Sequence, residues 1–182
     1  METICALFPS LLGNTWHELP DPVRRMHGAC ARIVARGKAD VGGDNTLLAR
    51  MARRLLGLPP PGPEQSVEVC IERVRTHETW TRRFALGRMQ STLRHDAKAT
   101  HLLERLGPVT LRFALCPDAH GVEWRLNGAW LLGVPIPYRW LGAVRSHSGV
   151  RDGRYAFTVD ARMPCIGHLV AYNGWLEIVT DD

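Results

Sequence analysis

Residues 66–95, SVEVCIERVRTHETWTRRFALGRMQSTLRH, decide the fold. In Ser66–Val74 the side chains alternate, with Val67, Val69 and Ile71 on one face and Glu68, Cys70 and Glu72 on the other. A period of two is the signature of a strand with one face turned to a core. Thr79–Leu86 and Arg88–His95 follow with Gly87 between them, which reads as a hairpin. In the first of these, Trp80, Arg82 and Phe84 share a face opposite Thr79, Thr81, Arg83 and Ala85.

The rhythm continues downstream through Ala99–Arg105 (ATHLLER), ended by Gly107-Pro108, and Val109–Leu115 (VTLRFAL). A turn over residues 117–121 leads into VEWRLNG; RYAFTVDA (Arg154–Ala161) and HLVAYNGWLEIV (His168–Val179) complete the set. Upstream, ACARIVAR (Ala29–Arg36) reads as a first strand, with Gly37, Gly42 and Gly43 as the turns after it. Eight or nine short strands at about ten-residue spacing predict a curved antiparallel sheet or a closed barrel. The fold class expected is α+β, about eight strands, lipocalin-like or START-like, both of which leave an internal cavity. The whole of 1–182 reads as one domain, with residues 1–27 as a helical segment and 29–180 as the helix-covered sheet.

Thr46–Leu56 is the clearest helix. Asp44 or Asn45 can cap it, and Leu47, Leu48, Met51, Leu55 and Leu56 recur at helical spacing opposite Arg50, Arg53 and Arg54. That pattern predicts a helix packed on the core, stopped by Gly57 and the proline run of LPPPGP (Leu58–Pro63). Asn127–Val144 breaks the alternation with a single charge, Arg139. One reading makes it a core strand followed by a proline corner and a helical turn. The other makes Trp130–Trp140 an apolar lid or a peripheral membrane contact, since Trp130, Tyr138 and Trp140 suit a boundary between oil and water.

The chain of 182 residues has 23 Lys+Arg against 18 Asp+Glu, a formal charge of +5. Only Lys38 and Lys98 are lysines, and the arginines are scattered in ones and twos, which does not favour nucleic acid as a partner. No stretch of about 18 apolar residues reads as a spanning helix, and the first residues lack the charge and cleavage pattern of a secretory signal. Five separated cysteines (Cys5, Cys30, Cys70, Cys116, Cys165) fit neither a disulfide framework nor a zinc site. They read as small, reduced, buried side chains in a cytoplasmic protein.

Several short pieces in order carry a family resemblance. Leu12-Gly13 and Leu19-Pro20 lead to His27-Gly28; then come LLGLPPPG, ETWTRRF, LLERLGPVTLRF, WLLGVPIPYRWL, DGRYAFTV and PCIGHLVAYNGWL. From Leu11 to Leu176 the chain resembles the bacterial domain of unknown function 4166. Tyr172, Gly174 and Trp175 match its pattern, while Asn173 stands where a more basic or aromatic residue is usual. The resemblance implies an association with saccharopine-dehydrogenase-like or epimerase-like NAD(P)-binding domains, and therefore an NAD(P)-dependent enzyme as partner. It implies no established activity. This chain has no G-x-G-x-x-G between a strand and a helix, so no nucleotide cofactor is assigned.

Arg82, between two aromatics, is expected to point inward, and Glu104 is the anion expected to meet it. Trp80, Arg82, Phe84, Glu104, Trp124 and Tyr172 are the candidate ligand-binding residues. The competing interpretation of Arg82 and Glu104 is an internal salt bridge. Ser91, His101 and Asp160 can be written as a triad, but no nucleophile elbow supports it. His27, His101 and His168 read as hydrogen-bonded histidines. The function expected is non-enzymatic binding of a small apolar or amphipathic molecule, in a cavity of several hundred Å³ with Arg82 facing a carboxylate or phosphate. The alternatives are an accessory module for an NAD(P)-dependent partner and an enzyme whose acid–base group is unrecognised.

Overall fold

The alternating segments become ten long strands that close on themselves. The structure, a computed structural model, describes residues 6–96 and 100–181. The strand start expected at Ala99, together with Cys5, Lys98 and Asp182, lies outside them. β1 (Arg32–Gly42) is followed by β2 (Gly62–Val74), β3 (His77–Phe84), β4 (Gly87–His95), β5 (Leu102–Leu106) and β6 (Val109–Asp118). β7 (Gly121–Leu131), the two-residue β8 (Val134–Pro135), β9 (Ala143–Arg151), β10 (Arg154–Met163) and β11 (Gly167–Asp181) complete the sheet. Each strand pairs antiparallel with its neighbours in the order β6-β5-β4-β3-β2-β1-β11-β10-β9-β7, and a β6–β7 pairing shuts the ring. β8 pairs only with the end of β7.

Side chains at every second position point inward. The run of Val67, Val69 and Ile71 on β2 faces Trp80, Arg82 and Phe84 on β3, then Met89, Ser91 and Leu93 on β4, and all are buried. Where β1 meets β11 the backbones approach unusually closely. A Cβ on Gly37 would lie 1.9 Å from the Trp175 carbonyl oxygen, and one on Gly174 2.1 Å from that of Lys38. Glycine is what lets this part of the wall bend.

Successive hairpins put their turns at alternate ends, so the barrel has two unlike poles. At one, α1 (Leu7–Leu12), a 3₁₀ turn (Gly13–Glu18) and α2 (Asp21–His27) insert Phe8, Leu19, Val23 and Met26 as a plug. The other carries α3 (Leu47–Leu56), the β3–β4, β5–β6 and β10–β11 turns, and the β7–β9 connection with its 3₁₀ turn at Tyr138–Trp140.

Four expectations are corrected. The barrel has ten strands rather than about eight, unlike an eight-stranded lipocalin. The strand that escaped detection is β9 (AVRSHSGVR), whose inner side carries Ser146 and Ser148 in place of apolar residues. β1 begins at Arg32 and runs through Gly37, a close-approach glycine rather than a turn. Helix α3 is capped by Thr46, whose Oγ1 accepts from the Ala49 N–H at 3.2 Å, and not by Asp44 or Asn45. Its leucine stripe is not packed on the core either. Leu47, Leu48, Met51 and Leu55 are exposed, while Ala49 and Arg53 are buried. Arg53 Nη1 donates to the carbonyls of Asp44 (2.8 Å) and Leu169 (2.9 Å), and small Ala49 lets the helix lie close. That anchoring turns the apolar stripe outward. The Asn127–Val144 segment does form a strand, a proline corner and a 3₁₀ turn. No helix among the described residues is long and apolar enough to cross a membrane.

Candidate functional site

The plug fills only part of the barrel. Above it, toward the pole that carries α3, remains a cavity of about 160 Å³, smaller than the several hundred Å³ expected. Its wall is almost wholly apolar, and Leu56, Leu58, Ile136, Trp140 and Leu141 line its open end. Trp80, Arg82, Phe84, Glu104, Trp124 and Tyr172 all lie on the wall, where residues from four strands meet.

Arg82 and Glu104 face each other across the intervening β4. Small Ser91 on that strand gives the guanidinium room, and Arg82 Nη1 donates to Ser91 Oγ at 2.9 Å. Nη2 lies 3.5 Å from Glu104 Oε1, and the guanidinium carbon sits 4.8 Å from the Trp80 ring centre. The geometry is an ion pair rather than a good hydrogen bond, and Glu104 Oε1 has no hydrogen-bond partner. Trp124 Nε1, also buried, has none either among the described residues. Trp124 stands edge-on to Trp80 and Phe113, and Phe84 edge-on to Tyr172. Burial pushes the Tyr172 hydroxyl pKa up, with Arg82 pulling the other way.

Two polar groupings were not anticipated. On the floor of the cavity the Tyr155 hydroxyl donates to Ser148 Oγ at 2.9 Å, and His27 Nε2 lies 3.1 Å from the same hydroxyl. With that proton committed to Ser148, His27 Nε2–H is the donor to Tyr155, and Nδ1 has no partner among the described residues. Burial, reinforced by Arg73 and Arg82, holds the His27 pKa well below its ordinary value, so the ring is neutral. Burial also lifts Tyr155 to about 12. Below, Glu78 Oε1 lies 3.2 Å from Arg73 Nε, and Oε2 accepts from Trp80 Nε1 at 2.9 Å. Arg73 also donates to the carbonyls of Cys30 and Met26, each at 2.9 Å, tying α2 to the wall. A signal existed for this pair. Arg73 continues the inward parity of Val67, Val69 and Ile71, and Glu78 that of Trp80 and Arg82, so the two meet across the β2–β3 hairpin.

Chemically the wall offers apolar contact and a few polar atoms that are mostly bonded to one another. The serine on the wall is bonded to a tyrosine whose hydroxyl stays protonated, and the histidine behind it does not reach the serine. The triad written from sequence is dispersed. Ser91 is bonded to Arg82, His101 Nε2 lies 2.8 Å from Asn127 Nδ2, and Asp160 contacts Arg162 and His168 on the outer surface. Among the described residues no three His, Cys, Asp or Glu side chains converge to hold a metal. Of the four described cysteines, all free, only Cys70 is buried, which corrects the expectation that they fill the core.

None of the curated proteins compared is similar to the chain. The sequence profile of the domain of unknown function DUF4166 matches residues 19–176, which takes in the plug from its second helix and the barrel as far as the middle of β11. The chain belongs to the DUF4166 family.

Proposed function

We propose that the barrel binds a small apolar or amphipathic molecule through its open end and performs no chemistry on it. The observation that carries this is the cavity: apolar walls, one open end and a few convergent polar groups, the usual make-up of a ligand site. An engineered apolar cavity of about 150 Å³ accepts benzene. A cavity of about 160 Å³ therefore takes one ring or a short branched chain, and the rest of a longer molecule lies in the mouth.

The polar end is better neutral than anionic. Arg82 already has Glu104 and Ser91 beside it, so an incoming carboxylate would have to compete with a resident one. On the upper wall one acceptor, Glu104 Oε1, and one donor, Trp124 Nε1, have no hydrogen bond among the described residues. A hydroxyl both gives and accepts. The reading proposed for the polar end is therefore a neutral head, alongside the carboxylate or phosphate expected at Arg82, and the titration below separates the two.

Native mass spectrometry of protein purified without denaturation looks for a co-purified molecule, and calorimetric titration with 4-pentylphenol and 4-pentylbenzoate tests the head group. The phenol is expected to bind more tightly, and Ala129→Phe, which fills the upper cavity, to abolish binding while the barrel stays folded. A folded protein with no adduct and no heat from either probe would overturn the proposal.

A further inference from the structure

The outward stripe of α3 is one sector of a larger apolar ring. Leu47, Leu48, Met51 and Leu55 of that helix share the open pole with side chains of the β7–β9 connection, notably Leu132 (80% exposed), Tyr138 (83%) and Trp140. Leu86 at the β3–β4 turn is exposed there as well. The loops are joined to one another: Leu132 N–H donates to the Pro108 carbonyl at 2.8 Å, across the β5–β6 turn. Trp130 is not part of the ring; it lies half-buried on the outer wall under the Arg112 guanidinium, 5.4 Å away. Apolar side chains on separate loops around one opening exceed the scattered leucines of an ordinary surface.

The charges around this ring identify its occupant. Arg50, Arg54, Arg88, Arg105 and Arg139 stand at the same pole, exposed, and none makes an ion pair among the described residues. The carboxylates nearby are engaged: Asp44 accepts from His168 N–H, Asp40 from Glu64 N–H, Glu64 meets Lys38, and Asp160 meets Arg162 and His168. A second copy of this chain, docked by two-fold symmetry, would bring arginines against arginines. A surface of anionic headgroups over hydrocarbon matches both features, with guanidinium groups at the phosphates and Leu, Met and Trp below them.

We infer that the open pole of the barrel docks on an anionic lipid bilayer. Docking does not require the cavity to hold a ligand. If the ligand proposal holds as well, the mouth then opens into hydrocarbon, and an apolar molecule enters without crossing water.

Vesicle flotation tests this with purified protein and no added ligand. The protein is expected to float with phosphatidylcholine vesicles containing phosphatidylglycerol, weakly or not at all with phosphatidylcholine alone, and less as salt rises. Met51→Asp and Leu55→Asp are expected to cut partitioning about tenfold each, since each removes one apolar side chain that would enter the hydrocarbon. Both residues are exposed, so an unchanged melting temperature verifies the fold of the variants. Failure to float on anionic vesicles at low salt would overturn the inference, as would flotation indifferent to both substitutions. Self-association lost in the same variants, without vesicle binding, would assign the pole to a second copy instead. None of these outcomes depends on the phenol titration.

Discussion

Substituting Arg82 separates a binding residue from a structural one only if Glu104 is changed with it. Glu104 is 6% exposed and Arg82 8% exposed, and among the described residues no other cation contacts the carboxylate. Arg82→Met alone leaves that carboxylate buried and unpaired, and breaking a buried pair in this way costs about 3–5 kcal/mol. Set against a total stability of about 5–15 kcal/mol, this is a large fraction. For a chain of this length it lowers the melting temperature by about 6–20 °C. In Arg82→Met/Glu104→Leu both charges are gone and apolar volume is largely kept, so most of the loss returns. The assay is thermal unfolding followed by circular dichroism, with urea unfolding as a second measure. A single variant melting within about 2 °C of the parent, or a double variant as damaged as the single, would refute the pairing argument. If the ligand's polar end is neutral, the double variant still binds 4-pentylphenol, because the apolar wall supplies most of the affinity.

The remaining predictions concern the plug and the seam. His27 is neutral in the fold with its pKa well below 6.5, while the unfolded chain takes up a proton near that value. Its contribution is therefore undiminished above about pH 6.5 and falls by up to about 1.4 kcal/mol per pH unit below it. Urea midpoints over a pH series should show this slope, and His27→Gln should flatten it; an unchanged slope places the acid sensitivity elsewhere. At the β1–β11 seam, Gly37→Ala puts a methyl group 1.9 Å from a backbone oxygen that cannot swing away. A loss on the order of 2–3 kcal/mol is expected in chemical denaturation, and a variant as stable as the parent would show that the strands can part.

The wall of this barrel was legible because a two-residue period survives on strands whose inner side is apolar. β2 through β6 read directly from their alternation, and the same parity turned Arg82 and Glu104 inward. β9 did not, because two of its inner positions are serines, Ser146 and Ser148, and Ser148 is bonded to the Tyr155 hydroxyl. Helix α3 failed in the opposite sense. Its period was right and its direction wrong, since a leucine stripe records amphipathicity and not which face meets the protein. What decided the direction was one arginine reaching two carbonyls of other segments, which no local pattern encodes. The polar floor was partly hidden for a related reason. Ser148 and Tyr155 are neighbours across the β9–β10 hairpin, but His27 lies in α2, far away in the chain, so its meeting with them is a product of closure.

The two dissimilar poles also fix how the molecule can be handled. Ala6 leads into the plug and Asp181 pairs with Ile33 near the start of β1, so both extremities of the described chain emerge at the stoppered end. A tag, a surface tether or a neighbouring polypeptide joined at either point stands behind the vessel and leaves its lip unobstructed. An immobilised preparation would therefore present the entrance to whatever flows past, with the attachment on the far side.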